Sequence, residues 1–301
     1  MLPLKSIGKT IIGIFLLAGC EKGYDLVIPE PFEMENVPEF TSFQEAENMD
    51  TIAVLTFGNS FSYDALYYLP SIAHSRGKVI ISGNLVLGGC SLERHWTNVK
   101  ESFVGYDYFK DAGMEHQYLT GYPIEQAYYD EDWDVVVFQQ AALRSGDYNS
   151  YVPYIFQIHE TMMRTLKKNV AYVWHQTWAF PEDSDYDSFE SYKYSQNYMY
   201  ECIVAASCRI SKELGSRCFF PSGTAIQNMR QEIGDNLCRD NRHLNDLGRY
   251  TAACVWYESL FGEAATTISY HPSTITEEAA RLAREAAHRA ILSPFSVWQK
   301  E

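Results

Sequence analysis

Ile52-Ala53-Val54-Leu55-Thr56-Phe57, followed at once by Gly58-Asn59-Ser60-Phe61-Ser62, is the stretch on which the reading of this chain turns. A short, nearly unbroken apolar run bounded by glycine reads as a strand buried on both faces. The Gly-Asn-Ser that follows marks a sharp exit into a helix. Four further runs repeat the pattern, at 79–87, 135–138, 170–174 and 218–220. Segments of helical length and spacing separate or follow them, at 65–74, 151–168, 192–214, 247–260 and 277–292. Strands alternating with helices predict an α/β fold, with about five parallel strands sandwiched in a three-layer α/β/α arrangement. No internal repeat or low-complexity tract interrupts it.

Ligands of such open sheets bind beyond the carboxyl ends of the strands. The residues directly after each strand are therefore the informative ones. After the first come Gly58, Asn59, Ser60 and Ser62, where a hydroxyl meets the free N–H groups of a helix start. The bland alternative is a serine capping that helix. After the second comes Gly88-Gly89-Cys90-Ser91-Leu92-Glu93, with a glycine whose N–H can approach a ligand closely. An ordinary turn, with Ser91 as a cap through His95 and Trp96, would read the same way. After the third stand Gln139 and Gln140, either of which can aim an amide into the crevice. After the fourth come His175 and Trp178, candidates for a substrate pocket or for packing at the sheet edge. Arg239-Asp240-Asn241-Arg242-His243 precedes the helix at 247–260. Asp at i and His at i+3 in a loop can set a carboxylate against one imidazole nitrogen and leave the other for a serine. Each signal alone is weak; together they fall at the places one site requires.

The amino terminus reads as a targeting segment. Lys5 and Lys9 precede a brief apolar run ending in Leu17-Ala18-Gly19-Cys20. That run is shorter than the ~18–20 residues a bilayer span needs. The pattern resembles a bacterial lipobox, which implies cleavage before Cys20 and a lipid on its sulfur. The expected organisation is a signal peptide over 1–19, an anchor and tether over 20–50, and one domain over 51–301. A membrane partner is expected through that lipid alone, in the periplasm or outer membrane.

The 301 residues carry 24 Lys and Arg against 39 Asp and Glu, for a net charge of −15. Such acidity argues against nucleic acid as a partner. Six cysteines remain after Cys20, none in a CxxC pair, and they leave disulfides and buried thiols equally open. Glu93 and His95 lack a third partner at metal-ligand spacing, so no metal and no cofactor is expected. Aromatic residues make up 15% of the chain, with 22 tyrosines. Those at 106, 108, 122, 148, 151, 186 and 192 look like loop residues able to stack on sugar rings.

The order of signals resembles the SGNH (GDSL-like) hydrolase superfamily, and within it a branch common among Bacteroidetes lipoproteins. Ser60 matches the first block, in a Gly-Asn-Ser rather than Gly-Asp-Ser context. Gly89 matches the second, and Asp240 and His243 the fourth. The third block departs: Gln139-Gln140 stands where Gly-x-Asn is usual. The resemblance covers about residues 51 to 262. It implies a flavodoxin-like parallel sheet and a serine esterase with Ser60, His243 and Asp240 as triad. Its oxyanion hole would draw on the N–H groups of Ser60 and Gly89 and on Gln140 or Gln139. Asn59, His175 and Trp178 would line the substrate site. The expected substrate is an acylated, most simply acetylated, glycan or another small ester. Two alternatives stand beside this: a glycan-binding lipoprotein that has lost the chemistry, and an envelope O-acyltransferase with the same triad.

Overall fold

In the computed structural model the chain is described over residues 29–299, apart from 32, 35, 44–48 and 168. Cys20 and the whole leader lie outside the described residues. Strand β1 (Thr51–Gly58) is buried after its first residue. It is flanked by β2 (Val79–Val86) on one side and β5 (Val135–Phe138) on the other, both parallel to it. Strands β6 (Ala171–His175) and β7 (Phe219–Phe220) continue the parallel set. Every residue of β5 is buried, as a parallel strand covered on both faces must be.

The sheet has seven strands rather than five, in the order β4-β3-β2-β1-β5-β6-β7. The two additions, β3 (Val104–Ala112) and β4 (Glu115–Pro123), form an antiparallel hairpin on the β2 edge. Its seven parallel-set and hairpin strands thus keep the flavodoxin-like order among the five parallel members. Tyr106 and Tyr108, expected in a loop, are buried side chains of β3, and Tyr151 and Tyr192 are buried as well. They serve the core and cannot stack on a ligand.

Helices cover both faces. One layer holds α1 (Ser60–Leu66), α2 (Leu69–Ser75), α7 (Ser222–Ile233), α8 (Asp246–Phe261) and α9 (Glu277–Leu292). The other holds α3 (Leu92–Lys100), α4 (Ile124–Tyr128), α5 (Tyr154–Thr165) and α6 (Gln196–Glu213). The single helix expected at 65–74 is two, because Pro70 in the first turn of α2 lacks the N–H that would continue α1. Among the described residues no helix is long and apolar enough to cross a membrane.

Part of the segment expected to be a tether is docked. Phe40 stacks on Phe219 with ring centres 4.9 Å apart, and Phe43 is buried. The Pro29 carbonyl accepts from Tyr198 Oη at 2.8 Å. Residues 29–43 thus include anchor points on the domain.

Candidate active site

The β1–α1 turn positions Ser60. Asn59 is the N-cap of α1, and its Oδ1 accepts the Phe61 N–H at 2.9 Å. Ser60 is the first helical residue, where backbone N–H groups have no partner within the helix. Gly58 is required by crowding: a Cβ there would lie 1.9 Å from Ser62 Oγ. Ser62 is fully buried, with its hydroxyl between Asn59 O and Asn84 Oδ1 at 2.8 Å each. Of the two serines, only Ser60 is partly open to solvent.

The Asp240–His243 loop comes from the other end of the chain. Cys238 pairs with Leu244 in an isolated antiparallel bridge, and Arg239 N donates to His243 O at 2.8 Å. Asp240 Oδ1 accepts the backbone N–H groups of Arg242 and His243, at 2.9 and 2.7 Å. Its Oδ2 lies 2.8 Å from His243 Nδ1, and His243 Nε2 lies 2.8 Å from Ser60 Oγ. A carboxylate only accepts, so Nδ1 carries the proton and the Nε2 lone pair faces the serine O–H.

Burial pushes the His243 pKa below its ordinary value and Asp240 offsets part of that, so the imidazole is neutral at neutral pH. Partial burial opposes the Asp240 charge, but hydrogen bonds from His243 and Arg242 outweigh it and hold the carboxyl below its usual range. The loop is braced from beneath. Trp178 Nε1 donates to Arg242 O at 2.9 Å, while its ring stacks on Phe61 at 4.2 Å. Phe61 in turn meets the His243 ring edge-on at 5.9 Å.

A second carboxylate was not foreseen. Asp64, one turn after Ser60, is fully buried. It accepts from Arg239 Nη1 at 3.0 Å, Arg249 Nε at 2.8 Å and Leu244 N at 2.9 Å. Arg239 also donates to Leu244 O. Asp64 thereby joins α1, the His243 loop and α8. The available signal was an acidic residue among the apolar positions Phe61, Ala65 and Leu66.

The two glutamines have different occupations. Gln140 Nε2 donates to Ser150 O and Ser150 Oγ, both at 3.0 Å. Its Oε1 accepts from Leu92 N at 3.0 Å and Ala141 N at 2.8 Å. Both amide hydrogens are spent, which removes Gln140 as an oxyanion donor. Gln139 Nε2 donates one hydrogen to Asn59 Oδ1 at 2.8 Å, and its Oε1 faces His175 Nδ1 at 2.9 Å. Gly89 is exposed with φ of +65°, and the adjacent Cys90 O accepts from Asn59 Nδ2 at 3.2 Å. That bond ties the glycine loop to the serine turn.

The substrate-lining expectation needs correction. His175 and Trp178 are fully buried with their ring nitrogens bonded to protein, and they support the site instead of facing a ligand. Asn59 is 2% exposed and donates one amide hydrogen to Cys90 O, so its main role is to hold the serine turn. Glu93 and His95 point apart: Glu93 meets Arg144 and Tyr154, whereas buried His95 meets Tyr106 Oη. An aromatic row does lead away from Ser60. Tyr63 packs on Phe109 of β3 at 4.6 Å, and Phe109 stacks on Tyr118 of β4 at 4.8 Å. Tyr67 and Tyr118 expose 45% and 47% of their surface.

Several solved proteins are similar. A DUF4886 family protein from Bacteroides uniformis is 39% identical, with a TM-score of 0.81, over 83% of this chain and 98% of its own. A protein from Slackia heliotrinireducens, described as a candidate SGNH hydrolase, is 17% identical with a TM-score of 0.49, over 69% and 98%. A candidate GDSL-like lipase from Parabacteroides merdae is 12% identical with a TM-score of 0.48, over 75% and 99%. No curated protein matches the chain. The family model described as Domain of unknown function (DUF4886) matches residues 53–290, and the chain belongs to that family.

Proposed function

We propose that this protein is a serine esterase that removes acyl groups, most simply acetyl, from a carbohydrate. The observation that carries the reading is the continuous Asp240–His243–Ser60 chain, with 2.8 Å at each link. Ser60 Oγ attacks the ester carbonyl carbon while His243 Nε2 takes the serine proton. The tetrahedral adduct collapses, its C–O bond to the sugar breaks, and the departing alkoxide takes that proton from His243. Water then attacks the acyl-enzyme, His243 accepts its proton, and the acid leaves as Ser60 regains its hydrogen. The oxyanion donors in this reading are the N–H groups of Ser60 and Gly89 and the second amide hydrogen of Gln139.

The intact triad favours chemistry over a binding protein that has lost it. The glycan assignment is supported by the row Tyr63, Phe109 and Tyr118 beside the nucleophile helix, since aromatic faces suit sugar rings. The resemblance of Leu17-Ala18-Gly19-Cys20 to a lipobox supports, as part of this proposal, a lipid-held position on the bacterial envelope.

The test is hydrolysis of p-nitrophenyl acetate by the purified full chain beside Ser60→Ala, followed by acetate release from acetylated polysaccharides. Activity that vanishes in the variant supports the reading. Equal activity in both, or none in the parent on any ester, rejects it.

A further inference from the structure

His175 is a fully buried histidine that the triad does not use. Its hydrogen bonds can be assigned from the backbone inward. The Phe61 N–H can only donate, so the group of Asn59 facing it is the oxygen, at 2.9 Å. Cys90 O can only accept, which agrees with Asn59 Nδ2 at 3.2 Å. The group of Gln139 facing Asn59 Oδ1 is therefore its nitrogen, at 2.8 Å. Its oxygen must then face His175 Nδ1, which carries the proton and donates at 2.9 Å. His175 Nε2 is left as an acceptor for the Ser222 hydroxyl, at 2.9 Å. Trp256, edge-on at 5.0 Å, packs against the ring. Burial lowers the His175 pKa to about 3, consistent with a neutral ring.

Gln139 follows Phe138, which pairs with Phe57 of β1. It therefore stands at the boundary between β1 and β5, where the sheet reverses its winding and the crevice opens. We propose that His175, backed by Ser222, is a positioning residue that locks the Gln139 amide so that its second hydrogen faces the developing oxyanion. This inference rests on the esterase reading. Without the His175 N–H, Gln139 Oε1 loses its buried partner, and the amide is held by the single bond to Asn59 Oδ1, about which it can pivot. A fixed donor is what an oxyanion hole requires, since its advantage is orientation set before the reaction.

The experiment is a double-mutant cycle on the full chain, with p-nitrophenyl acetate as substrate and the thermal midpoint recorded for each variant. Gln139→Ala should lower kcat by roughly 10²–10³-fold. His175→Phe should lower kcat in the same direction with KM little changed, and the double variant should be no slower than Gln139→Ala alone. His175→Asn, which keeps an N–H donor, should recover part of the loss. Ser222→Ala, a milder change, should lower kcat by a smaller factor and serves if His175→Phe does not fold. Independent, multiplying losses in the cycle, or unchanged kcat in both His175→Phe and Ser222→Ala, would overturn the inference. A Ser60→Ala control separates the two claims: if it remains active the esterase reading falls, and if it is inactive while the cycle multiplies, only the role of His175 falls.

Discussion

Asp64 and Asp240 both hold the His243 loop, yet their surroundings differ. The Asp64 side chain is fully enclosed and meets two guanidinium groups and a backbone N–H. The Asp240 side chain is 45% exposed and meets one imidazole and two backbone N–H groups. A buried carboxylate with two fixed cations has its charge compensated throughout and gains nothing from events at the serine. A half-exposed carboxylate beside a neutral imidazole acquires its full partner only when that imidazole takes a proton. The first arrangement holds α1, the His243 loop and α8 together; the second, in the proposed esterase, responds to the reaction.

The contrast is sharpest in activity. Asp240→Asn should retain the fold and lose roughly 10⁴-fold in kcat, because the amide no longer enforces the Nδ1–H tautomer. Circular dichroism beside steady-state kinetics would show this, and a small loss of rate would merge the two carboxylates into one structural role. Asp64→Ala should do the reverse in emphasis. It leaves Arg239 and Arg249 without their shared partner; because their side chains are 36% and 13% exposed, water compensates part of the loss, and the cost should fall at or below the lower end, about 3 kcal/mol, of that for a buried pair. Urea unfolding should show a lowered midpoint, with activity falling along with the population of folded enzyme. An Asp64→Ala protein of parental stability would deny the clamp.

The pH profile gives a smaller, graded test. In the proposed mechanism His243 acts as a base only when deprotonated, and burial sets its pKa below the ordinary histidine value. Activity should therefore be level at neutral pH and fall on acidification, with its midpoint below about 6.5. Asp240→Asn removes an influence that raises the His243 pKa, so the residual activity should persist to still lower pH. A parental midpoint above the ordinary histidine value would contradict the buried, neutral base.

How far the sequence goes differs between these same places. The Ser60, Asp240 and His243 contact is legible because strand ends and loop spacing bring these residues into view before any tertiary contact is known. Asp64 is not, since its partners Arg239 and Arg249 lie far along the chain and only the fold joins them. The two glutamines are adjacent in sequence and alternate in direction, so which one reaches Asn59 depends on the crevice itself. The β3–β4 hairpin was missed because β4 is exposed along most of its length and offers little apolar alternation. Tyr106 and Tyr108 did alternate in β3, but Asp107 between them and Lys110 and Asp111 just beyond masked the strand. His175 and Trp178 were placed at the right end of β6, yet burial decides between lining and support, and no local pattern records it.

The most direct test of Ser60 as nucleophile is covalent capture. The parent and Ser60→Ala would be treated with a fluorophosphonate, weighed intact, and mapped by peptide mass spectrometry. A single adduct on the peptide containing Ser60, absent from the variant, is the predicted result. Equal labelling of both proteins, or an adduct on another residue, would contradict it.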